Sequence, residues 1–316
     1  MKLRANAGMK VLVTGATGML GREVMRELLG NWYDCKGVSS AECNLLDFKA
    51  TDELVRKQAP DIVVHLAADV GGVLYSSTHQ ASQLMKNTRM ADSIVMASAK
   101  NHVGLFVGIG SVCEYPDDAP QPLTEDDVDN GLPADTNFGY GMAKRYLRHL
   151  EAAAYEQFGM QYIHLMPSNM YGRHDKCDEL HAHVIPAMFR KFIDAKKRKE
   201  DTVVFGGYST NTRHFLHVKD CARAIRMAIV HGHSDIPINI PGYEEIALSA
   251  LADKIAGIVG WSGKSIVFDG KKAGQKRRLV NGELARQLLG FETEISLDEG
   301  LSDFYAWLQE EYEWAR

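Results

Sequence analysis

The fold follows from residues 10–21, which read Lys10-Val11-Leu12-Val13-Thr14-Gly15-Ala16-Thr17-Gly18-Met19-Leu20-Gly21. The first five residues are mostly apolar and β-branched, a composition that favours a short strand. Glycines follow at once, and apolar residues then recur at helical spacing through Leu20, Val24, Met25 and Leu28. The stretch therefore predicts a strand, a tight turn and a helix in direct succession.

The same rhythm of strand and helix recurs further along the chain. Residues 61–68 and 104–110 are nearly all apolar, and a helical stretch from Gln83 to Ala99 lies between them. A further strand is predicted from Tyr162 to Met166. Strands that are apolar on both faces and alternate with helices indicate a parallel sheet covered on both sides. We therefore predict an α/β fold with a Rossmann-type doubly wound parallel sheet and a smaller α/β C-terminal domain.

The glycines between the first strand and its helix suggest a use for this turn. They let the backbone turn sharply and approach a pyrophosphate, which the N–H groups and dipole of the following helix stabilise. Three spaced glycines alone could form an ordinary turn, but directly after the first strand of a parallel sheet they predict a dinucleotide site. The cofactor contacts expected from this turn and from the end of a later strand are Gly15, Thr17, Gly18, Met19, Leu20, Gly21, Ala67 and Ala68.

The sequence pattern changes after Gly172. Beyond it the chain shows isolated strands at 203–205, 214–218 and 238–240 and helices near 248–259 and 297–311. We therefore expect a dinucleotide-binding domain over 9–172, with a later returning segment near 208–240. Residues 173–316 are expected to form mainly a substrate domain, with the active site between the two.

Composition excludes several classes of protein. The chain has 316 residues, with 36 Lys and Arg against 41 Asp and Glu, and its net charge of -5 gives no overall attraction to nucleic acid or to an anionic membrane. Its five cysteines are an odd, scattered set, which favours free thiols in a reducing compartment. No apolar run approaches the length of a signal-peptide core or a membrane span. We therefore expect a cytoplasmic protein that binds neither nucleic acid nor a membrane.

Tyr140 and Lys144 lie four positions apart and therefore on one face of a helix. Ser111 ends an apolar strand at the carboxyl edge, where doubly wound sheets hold their ligands. A hydroxyl at a strand end, a Tyr-x-x-x-Lys helix and an upstream glycine turn together resemble the extended short-chain dehydrogenase/reductase superfamily. In the alternative interpretation, Tyr140 and Lys144 are only a pair on a helix surface.

Chemistry explains why these three side chains belong together. Reduction of a ketone by a nicotinamide hydride builds negative charge on the carbonyl oxygen, so an acid must deliver a proton. Tyr140 is the candidate donor, and Ser111 would hold the carbonyl oxygen. We expect the Lys144 cation to lower the pKa of the phenol by stabilising the phenolate. Both Tyr140 and Lys144 are also expected to contact the cofactor.

Two further sets of side chains suggest chemistry. Ser111 and Cys113 are two apart in a segment we take as extended, so they would share a face and place a thiol in the same cavity. A free cysteine is, however, often an inert buried side chain. Downstream, four residues of the kinds that bind zinc lie close in sequence: His174, Cys177, His181 and His183. Their spacing does not fit the usual paired-ligand patterns, so we expect no metal.

Over nearly its whole length the chain resembles the GDP-L-fucose synthase family. The matching segments are Asn44-Leu45-Leu46-Asp47, Val70-Gly71-Gly72, Gly110-Ser111 with Cys113 and Tyr115-Pro116, Tyr140 with Ala143-Lys144, Asn169 with Tyr171-Gly172 and His174-Asp175, His183-Val184-Ile185-Pro186-Ala187, Phe215-Leu216-His217-Val218 with Asp220, and Glu294-Ile295-Ser296-Leu297. The Ser-x-Cys and His-Val-Ile-Pro segments are specific to this branch of the superfamily.

The resemblance implies NADPH-dependent conversion of GDP-4-keto-6-deoxy-D-mannose to GDP-L-fucose. It implies that Cys113 and His183 act as base and acid in epimerisation at C3 and C5, which the C4 ketone acidifies. Ser111, Tyr140 and Lys144 would then carry the reduction at C4. The substrate contacts that the resemblance implies are Asn169, His183, Arg190, Lys191, Arg213 and Arg278, the last where the family commonly has a lysine. Arginines suit a diphosphate because their planar fork makes paired hydrogen bonds.

The chain departs from the family where the cofactor's ribose phosphate would bind. The family commonly has arginines where this chain has Thr17 and, after the second strand, Val38, Ser39 and Ser40. We expect no Asp or Glu at that strand end to bind the ribose of NAD and repel a phosphate. Hydroxyls of Thr17, Ser39 or Ser40 would hold the 2′-phosphate, so we predict NADPH as the cofactor.

Assembly and the exact reaction leave alternatives. Helices near 81–99 and 140–158 carry more apolar surface than the sheet requires, so we expect a homodimer through them, as the family suggests. One alternative function is epimerisation and reduction, or C4 reduction alone, of a related GDP-4-keto sugar such as a 6-deoxyheptose or colitose precursor. The other is a non-catalytic Rossmann-type cofactor sensor, against which the intact Ser111, Tyr140 and Lys144 argue.

Overall fold

The computed structural model describes residues 8–271 and 275–316. The first part alternates strands with helices, in the order β1 (Lys10–Thr14), α1 (Met19–Gly30), β2 (Asp34–Val38), α2 (Phe48–Gln58), β3 (Ile62–His65), α3 (Val73–Thr78), α4 (Gln80–Lys100), β4 (Leu105–Ile109), α5 (Phe138–Phe158) and β5 (Gln161–Pro167). The rest comprises β6 (Asn169–Tyr171), α6 (Val184–Arg198), β7 (Thr202–Phe205), β8 (Thr212–His217), α7 (Val218–His231), β9 (Ile238–Ile240), β10 (Glu245–Ala247), α8 (Leu248–Val259), β11 (Ser265–Phe268), β12 (Arg277–Arg278), α9 (Glu283–Leu289) and α10 (Leu297–Glu311). In the part of the chain that the structure describes, no helix has the length and apolar character needed to cross a membrane.

The largest sheet has six strands in the order β2-β1-β3-β4-β5-β9, and every neighbouring pair is parallel. At its centre, Leu12 on β1 lies opposite Val63 on β3, which in turn lies opposite Phe106 on β4. Parallel neighbours need crossover connections, and the helices that form them cover the two faces of the sheet. The predicted Rossmann-type doubly wound α/β sheet is confirmed.

Side chains of this sheet alternate between two apolar cores, which explains the continuous apolar runs in the sequence. Val11 and Val13 on β1 join a core with α1 and α7, whereas Leu12 joins the opposite core with α2, α4 and α5. Each fully buried side chain of this kind contributes about 1.5–3 kcal/mol relative to an exposed one. A one-residue shift of a strand would exchange the two sets, so the packing specifies the register.

The later part of the chain forms two smaller sheets around a third core. β10, β8 and β12 form one sheet, in which β6 also pairs with β8, and β11 pairs with β7. Helices α6, α8 and α10 pack on this core, which is rich in buried aromatic residues. Within 208–240, β8 belongs to this part, whereas β9 returns to the main sheet and pairs with β5.

The strand directions place several loops at one edge. Because β1, β3, β4 and β5 are parallel, their carboxyl ends lie at the same edge of the main sheet. The glycine turn follows β1, the 66–72 loop follows β3, Ser111 comes shortly after β4, and Asn169 follows β5. The candidate site is therefore assembled at this edge.

Candidate active site

The glycine turn between β1 and α1 is tight and lies against the loop after β3. Gly15 has a φ of +67, and a β-carbon there would overlap the backbone of Ala67. Thr14 Oγ1 accepts the N–H groups of Leu66 and Ala67, at 3.2 and 3.3 Å, which fixes that loop. Gly18 is the N-cap residue of α1 and supplies no side-chain cap. The first turn of α1 thus offers N–H groups to an anion, as a dinucleotide pyrophosphate requires.

The end of β2 lies beside this turn, because the Ala16 N–H donates to the Val38 carbonyl at 3.2 Å. Here the expectation that no acidic residue is present is wrong. The Glu42 carboxylate folds back to the strand end and accepts the N–H and hydroxyl of Ser39, at 2.9 and 3.1 Å, and Lys36 at 3.0 Å. A 2′-phosphate bound at this strand end would need the same Ser39 and Lys36 donors, so Glu42 and the phosphate would compete for these hydrogen bonds.

The segment that carries Ser111 and Cys113 is a turn, and the expectation of an extended segment is wrong. Residues 112–114 form one turn of 3-10 helix, which Ser111 caps by accepting the Cys113 N–H at 3.1 Å. Glu114 completes the cap by accepting the Ser111 N–H at 2.9 Å. Val112 and Glu114 are buried, whereas Ser111 and Cys113 are half-buried. The hydroxyl and the thiol therefore still lie close together, but through the cap rather than a shared strand face.

Tyr140 and Lys144 lie on the same side of α5, with the Lys144 ammonium 5.7 Å from the centre of the Tyr140 ring. The ammonium donates to the Ile109 carbonyl at 2.7 Å, which ties α5 to the end of β4. Burial lowers the pKa of Lys144 to about 8. The expectation of a lowered pKa for Tyr140 is wrong for the free site: burial raises that pKa, the nearby Cys113 and Glu114 add to the shift, and stabilisation of the phenolate by Lys144 does not reverse it. Tyr140 is thus a neutral phenol, the form that can donate a proton.

Gly141 lets the start of α5 approach the Cys113 turn. A β-carbon at this position would overlap the carbonyl oxygen of Cys113 and the Pro133 ring. The close approach places Tyr140, the preceding residue, beside Cys113. The phenol predicted to serve reduction and the thiol predicted to serve proton exchange are therefore neighbours.

Two arginines from the later part of the chain reach this thiol. Arg278 on β12 lies opposite Arg213 on β8, and its guanidinium donates to Cys113 Sγ at 3.7 Å. Burial and, to a smaller extent, the charge of Arg278 lower the pKa of Arg213 to about 10. Two half-buried cations side by side repel each other, and an anion between them would relieve that repulsion. The pair is suited to a negatively charged substrate.

His183 begins α6 and is held from two directions. Its Nδ1 lies 3.0 Å from the buried carboxylate of Asp175. Burial disfavours the imidazolium, but the Asp175 carboxylate outweighs it, so the pKa of His183 is raised above its ordinary value. The His181 carbonyl accepts the Gly72 N–H at 2.9 Å, which joins the segment before His183 to the loop after β3. His183 therefore lies in a segment anchored to the same sheet edge.

The remaining predicted substrate residues differ in position. The Asn169 amide donates to the His214 carbonyl at 2.9 Å, next to Arg213. Arg190 is held by Asp194, at 2.8 Å, and its guanidinium lies over the ring of Trp314. Lys191 donates to the Val204 carbonyl at 2.7 Å. These contacts tie the basic pair to the core of the later part of the chain, and the structure does not bring it together with Ser111 and Cys113.

The four side chains considered for zinc are dispersed. His174 packs edge-on against Trp307, Cys177 donates to the Asp175 carbonyl, and His181 pairs with Asp178. Over residues 8–271 and 275–316, no group of three or more His, Cys, Asp and Glu side chains is arranged to hold a metal ion.

Sequence reasoning missed a buried ionisable cluster behind Ser111. His164 on β5 lies between two carboxylates, with Nδ1 2.8 Å from Glu151 and Nε2 3.2 Å from Glu114. All three side chains are fully buried. The sequence did carry a signal for this cluster, namely ionisable residues among apolar ones. His164 interrupts the apolar β5, and Glu114 lies between the buried Val112 and Tyr115.

Comparison with known proteins agrees with this geometry. The chain matches the NAD dependent epimerase/dehydratase family over residues 11–240. It is 34% identical to the GDP-L-fucose synthase of Escherichia coli (strain K12), over 95% of this chain and 97% of that protein. It is 30% identical to the GDP-L-colitose synthase of Yersinia pseudotuberculosis, over 93% of this chain and 96% of that protein. A solved GDP-L-fucose synthetase from Naegleria fowleri, bound to NADP, superposes with a TM-score of 0.86 at 26% identity, covering 99% of this chain and 97% of that one.

These matches bear directly on the predicted resemblance. The family match spans the glycine turn, Ser111, Tyr140 and Lys144, and the two synthases match almost the whole chain. The doubly wound sheet agrees with the fold of the Naegleria protein. The resemblance is thereby confirmed: the chain belongs to the NAD dependent epimerase/dehydratase family, as a relative of the GDP-L-fucose synthases along nearly its full length.

Proposed function

We propose that the enzyme converts GDP-4-keto-6-deoxy-D-mannose to GDP-L-fucose, by epimerisation at C3 and C5 and NADPH-dependent reduction at C4. The observation that carries the proposal is the surroundings of Cys113, whose thiol accepts from Arg278 while its backbone contacts Ser111 and Gly141. Reduction alone needs no thiol at this place. A thiol and an arginine beside Tyr140 fit a second reaction on an anionic substrate. The two relatives named as synthases of GDP-linked sugars support this proposal.

The residues at the sheet edge fit a nicotinamide dinucleotide. The pyrophosphate is assigned to the turn formed by Gly15, Thr17, Gly18, Met19, Leu20 and Gly21, with Ala67 and Ala68 alongside. Hydroxyls of Thr17, Ser39 and Ser40 are assigned to the 2′-phosphate. When bound, NADPH supplies the hydride for C4. The NADP held by the Naegleria relative supports this choice of cofactor.

Reduction at C4 is assigned to three residues. The Ser111 hydroxyl donates to the carbonyl oxygen of the substrate. Tyr140, a neutral phenol, gives its proton to that oxygen as negative charge develops there. The Lys144 ammonium, 5.7 Å from the phenol ring, stabilises the phenolate that remains until solvent returns the proton.

Epimerisation is assigned to Cys113 and His183. The C4 ketone acidifies the protons at C3 and C5, so a base can remove one from one face and an acid can return one to the other. Cys113 acts as the base and His183 as the acid. The Asp175 carboxylate favours the charged, proton-donating form of His183.

Recognition of the GDP group is assigned to the later part of the chain. Arg213 and Arg278 bind the diphosphate, because both are cations next to the reacting groups and their forks match phosphate oxygens. Asn169 is placed beside them to contact the sugar. Contacts with the nucleotide away from the reacting sugar are assigned to Arg190 and Lys191. Asp194 holds Arg190, and the Val204 carbonyl holds Lys191.

The proposal includes an organisation for the whole molecule. Residues 9–172, with the returning β9, bind the dinucleotide, and residues 173–316 mainly bind the sugar nucleotide. The enzyme is a homodimer through α4 and α5, which pack together and expose Met85 and Tyr146. It works in the cytoplasm, in keeping with five free cysteines.

A second candidate keeps the chemistry and changes the sugar. The relative named GDP-L-colitose synthase, at 30% identity, favours a related GDP-4-keto sugar. The shape of the sugar site decides which of these sugars fits. A turnover assay decides between the candidates.

The test incubates the enzyme with NADPH and GDP-4-keto-6-deoxy-D-mannose, follows the loss of NADPH absorbance, and identifies the product sugar. We expect GDP-L-fucose. An unepimerised GDP-6-deoxy sugar would restrict the function to C4 reduction, and no consumption of NADPH would overturn the proposal.

A further inference from the structure

The buried cluster of Glu114, His164 and Glu151 lies behind Ser111, one of the residues assigned to reduction. Glu114 belongs to the Ser111 turn, His164 to the middle of β5, and Glu151 to α5. These elements also carry or support Ser111 and Lys144. The mechanism above uses none of the three side chains, although fully buried ionisable groups are costly to maintain.

The geometry defines the charge of His164. Each ring nitrogen lies within hydrogen-bond distance of a carboxylate oxygen, at 2.8 Å for Glu151 and 3.2 Å for Glu114. Ionised carboxylates only accept hydrogen bonds, so the two contacts favour a proton on each ring nitrogen, which makes the ring an imidazolium. Burial opposes this charge, but the two carboxylates outweigh it and raise the pKa of His164 to about 9.

Glu114 is the better stabilised of the two carboxylates. It accepts the Ser111 N–H at 2.9 Å and the Arg148 Nε at 3.4 Å, in addition to His164. Despite its burial, these partners hold the pKa of Glu114 below its ordinary value. Burial raises the pKa of Glu151 instead, and none of the residues that the structure describes forms a hydrogen bond with its Oε1. Glu114 is therefore the carboxylate of the cluster that stays ionised.

Glu114 also joins three elements mechanically. Its carboxylate contacts β5 through His164, and its backbone carbonyl accepts Arg145 Nε of α5 at 2.6 Å. A β-carbon on Gly110 would overlap both Glu114 and His164, so the cluster packs directly on the backbone after β4. The turn that presents Ser111 is thus attached to both β5 and α5.

Lys144 is the buried cation next to this charge: its ammonium donates to the Ile109 carbonyl, and the Glu151 and Glu114 carboxylates pack against the flanking Gly108 and Gly110. The groups around its ammonium are the Ile109 carbonyl, the Tyr140 ring, His65 on β3, and the carboxylates of Glu114 and Glu151. Burial and Lys144 itself lower the pKa of His65 to about 3, so that ring is neutral and supplies no charge. Among these groups the two carboxylates favour the ammonium, and Glu114 is the one that stays ionised.

We propose that Glu114, held by His164 and Arg148, is a positioning residue of the reduction: it fixes the Ser111 turn and keeps the buried Lys144 protonated. The proposal rests on the reductive role assigned above to Lys144. It means that the upper pH limit of reduction is set by a carboxylate that touches neither substrate nor cofactor. His164 and Arg148 serve by keeping that carboxylate ionised in a buried place.

The test compares pH profiles of kcat for C4 reduction between pH 6 and 10, with all variants checked for folding by circular dichroism. Glu114→Gln keeps an oxygen for the Ser111 N–H but removes the charge. We expect the alkaline limb of the kcat profile of this variant to move to lower pH by about one unit, which is about a tenfold loss of kcat on that limb. Its kcat on the low-pH plateau should change less than threefold. Glu151→Gln should shift the limb by a smaller amount.

The matched control is Asp129→Asn. Asp129 accepts from the outer end of the same Arg148, at 2.6 Å, but is half-exposed and remote from Lys144, so its profile should match that of the wild type. An equal loss at every pH in Glu114→Gln would reduce Glu114 to a structural support. An unchanged profile would overturn the proposal entirely.

A measurement on the free protein separates this proposal from the reaction. In nitrogen-15 spectra of wild-type protein without ligands, the His164 signals, assigned by their absence in His164→Gln, should show both ring nitrogens protonated at pH 7. A neutral ring would overturn the cluster even if the enzyme makes GDP-L-fucose. Protonated nitrogens in a protein that reduces no GDP-4-keto sugar would instead leave the cluster intact and refute the function.

Discussion

The side chains assigned to reduction and those assigned to proton exchange are held in different ways. Ser111, Tyr140 and Lys144 are attached to β4, β5 and α5 through buried contacts, chief among them the Glu114 cap and the Ile109 carbonyl. Cys113 shares the capped turn with Ser111, but its thiol is contacted by Arg278 on β12, and the His183 imidazole is contacted by Asp175. The groups assigned to reduction are therefore held by the core of the main sheet, whereas the side-chain partners of the groups assigned to proton exchange come from the later part of the chain. Mutation should therefore separate the two activities.

The largest separation is expected from Tyr140→Phe. The ring is kept and the proton donor is lost, so reduction at C4 should fall about 10²–10⁴-fold, the usual contribution of general acid catalysis. Deuterium uptake from heavy water at C3 and C5 should continue. The matched control is Tyr146→Phe, which removes an exposed hydroxyl on the same helix that contacts Asp92. Reduction at near wild-type rate in Tyr140→Phe would refute the assigned role.

Cys113→Ser should produce the converse result. A hydroxyl is a far weaker acid than a thiol, so deuterium uptake at C3 and C5 should fall about 10²-fold or more. Reduction should continue and give an unepimerised or slowly formed product. Cys35→Ser, in a half-buried position on β2, should change neither activity. If Cys113→Ser exchanges deuterium as fast as wild type, the base lies elsewhere.

Asp175→Asn should give a smaller, pH-dependent effect on proton exchange alone. Because Asp175 raises the pKa of His183, its loss should lower that pKa, and fewer molecules would then carry the acid form above neutrality. We expect exchange close to wild type at pH 6 and a loss of about three- to tenfold at pH 8. Asp178→Asn, which alters the neighbouring His181 pair, is the control. A loss that is equal at both pH values would contradict this account.

A change in cofactor preference should affect reduction alone. Since Glu42 engages the donors at the end of β2, the native preference for NADPH should be modest. Ser40→Arg should raise the ratio of kcat/KM for NADPH over NADH about tenfold, because a guanidinium adds charge-assisted bonds to the 2′-phosphate. Deuterium exchange without cofactor should not change. Ser302→Arg on α10 is the control, and an unaltered ratio in Ser40→Arg would place the 2′-phosphate elsewhere.

The parts of this molecule that sequence predicts are those with local causes. The glycine turn, the Tyr140 and Lys144 pair and the apolar strands depend on neighbours within a few residues, and they were predicted correctly. Both errors in local structure have the same cause. Ser39 with Glu42, and Ser111 with Glu114, are Ser-x-x-Glu pairs, a pattern typical of a side chain that caps its own turn. Recognising it would have indicated the acidic group beside β2 and the turn at Cys113.

The remaining features depend on distant contacts. Glu114 and His164 are 50 positions apart, and Arg278 reaches Cys113 from 165 positions along the chain. The pKa of Tyr140 depends on its burial, which only the packed structure determines. A pair such as Tyr140 and Lys144 predicts that two groups are close, but the electrostatic balance between them includes every buried neighbour.

The return of β9 to the main sheet has a consequence for synthesis of the chain. Until β9 emerges from the ribosome, the edge of β5 has no strand beside it, and β5 is almost fully buried in the finished molecule. About 70 residues separate these two strands, so at ~5–20 residues per second the apolar edge is uncovered for about 4–14 s. An open edge of this kind pairs readily with other chains. Nascent molecules in that interval should be the form that chaperones bind and that aggregates when expression is fast.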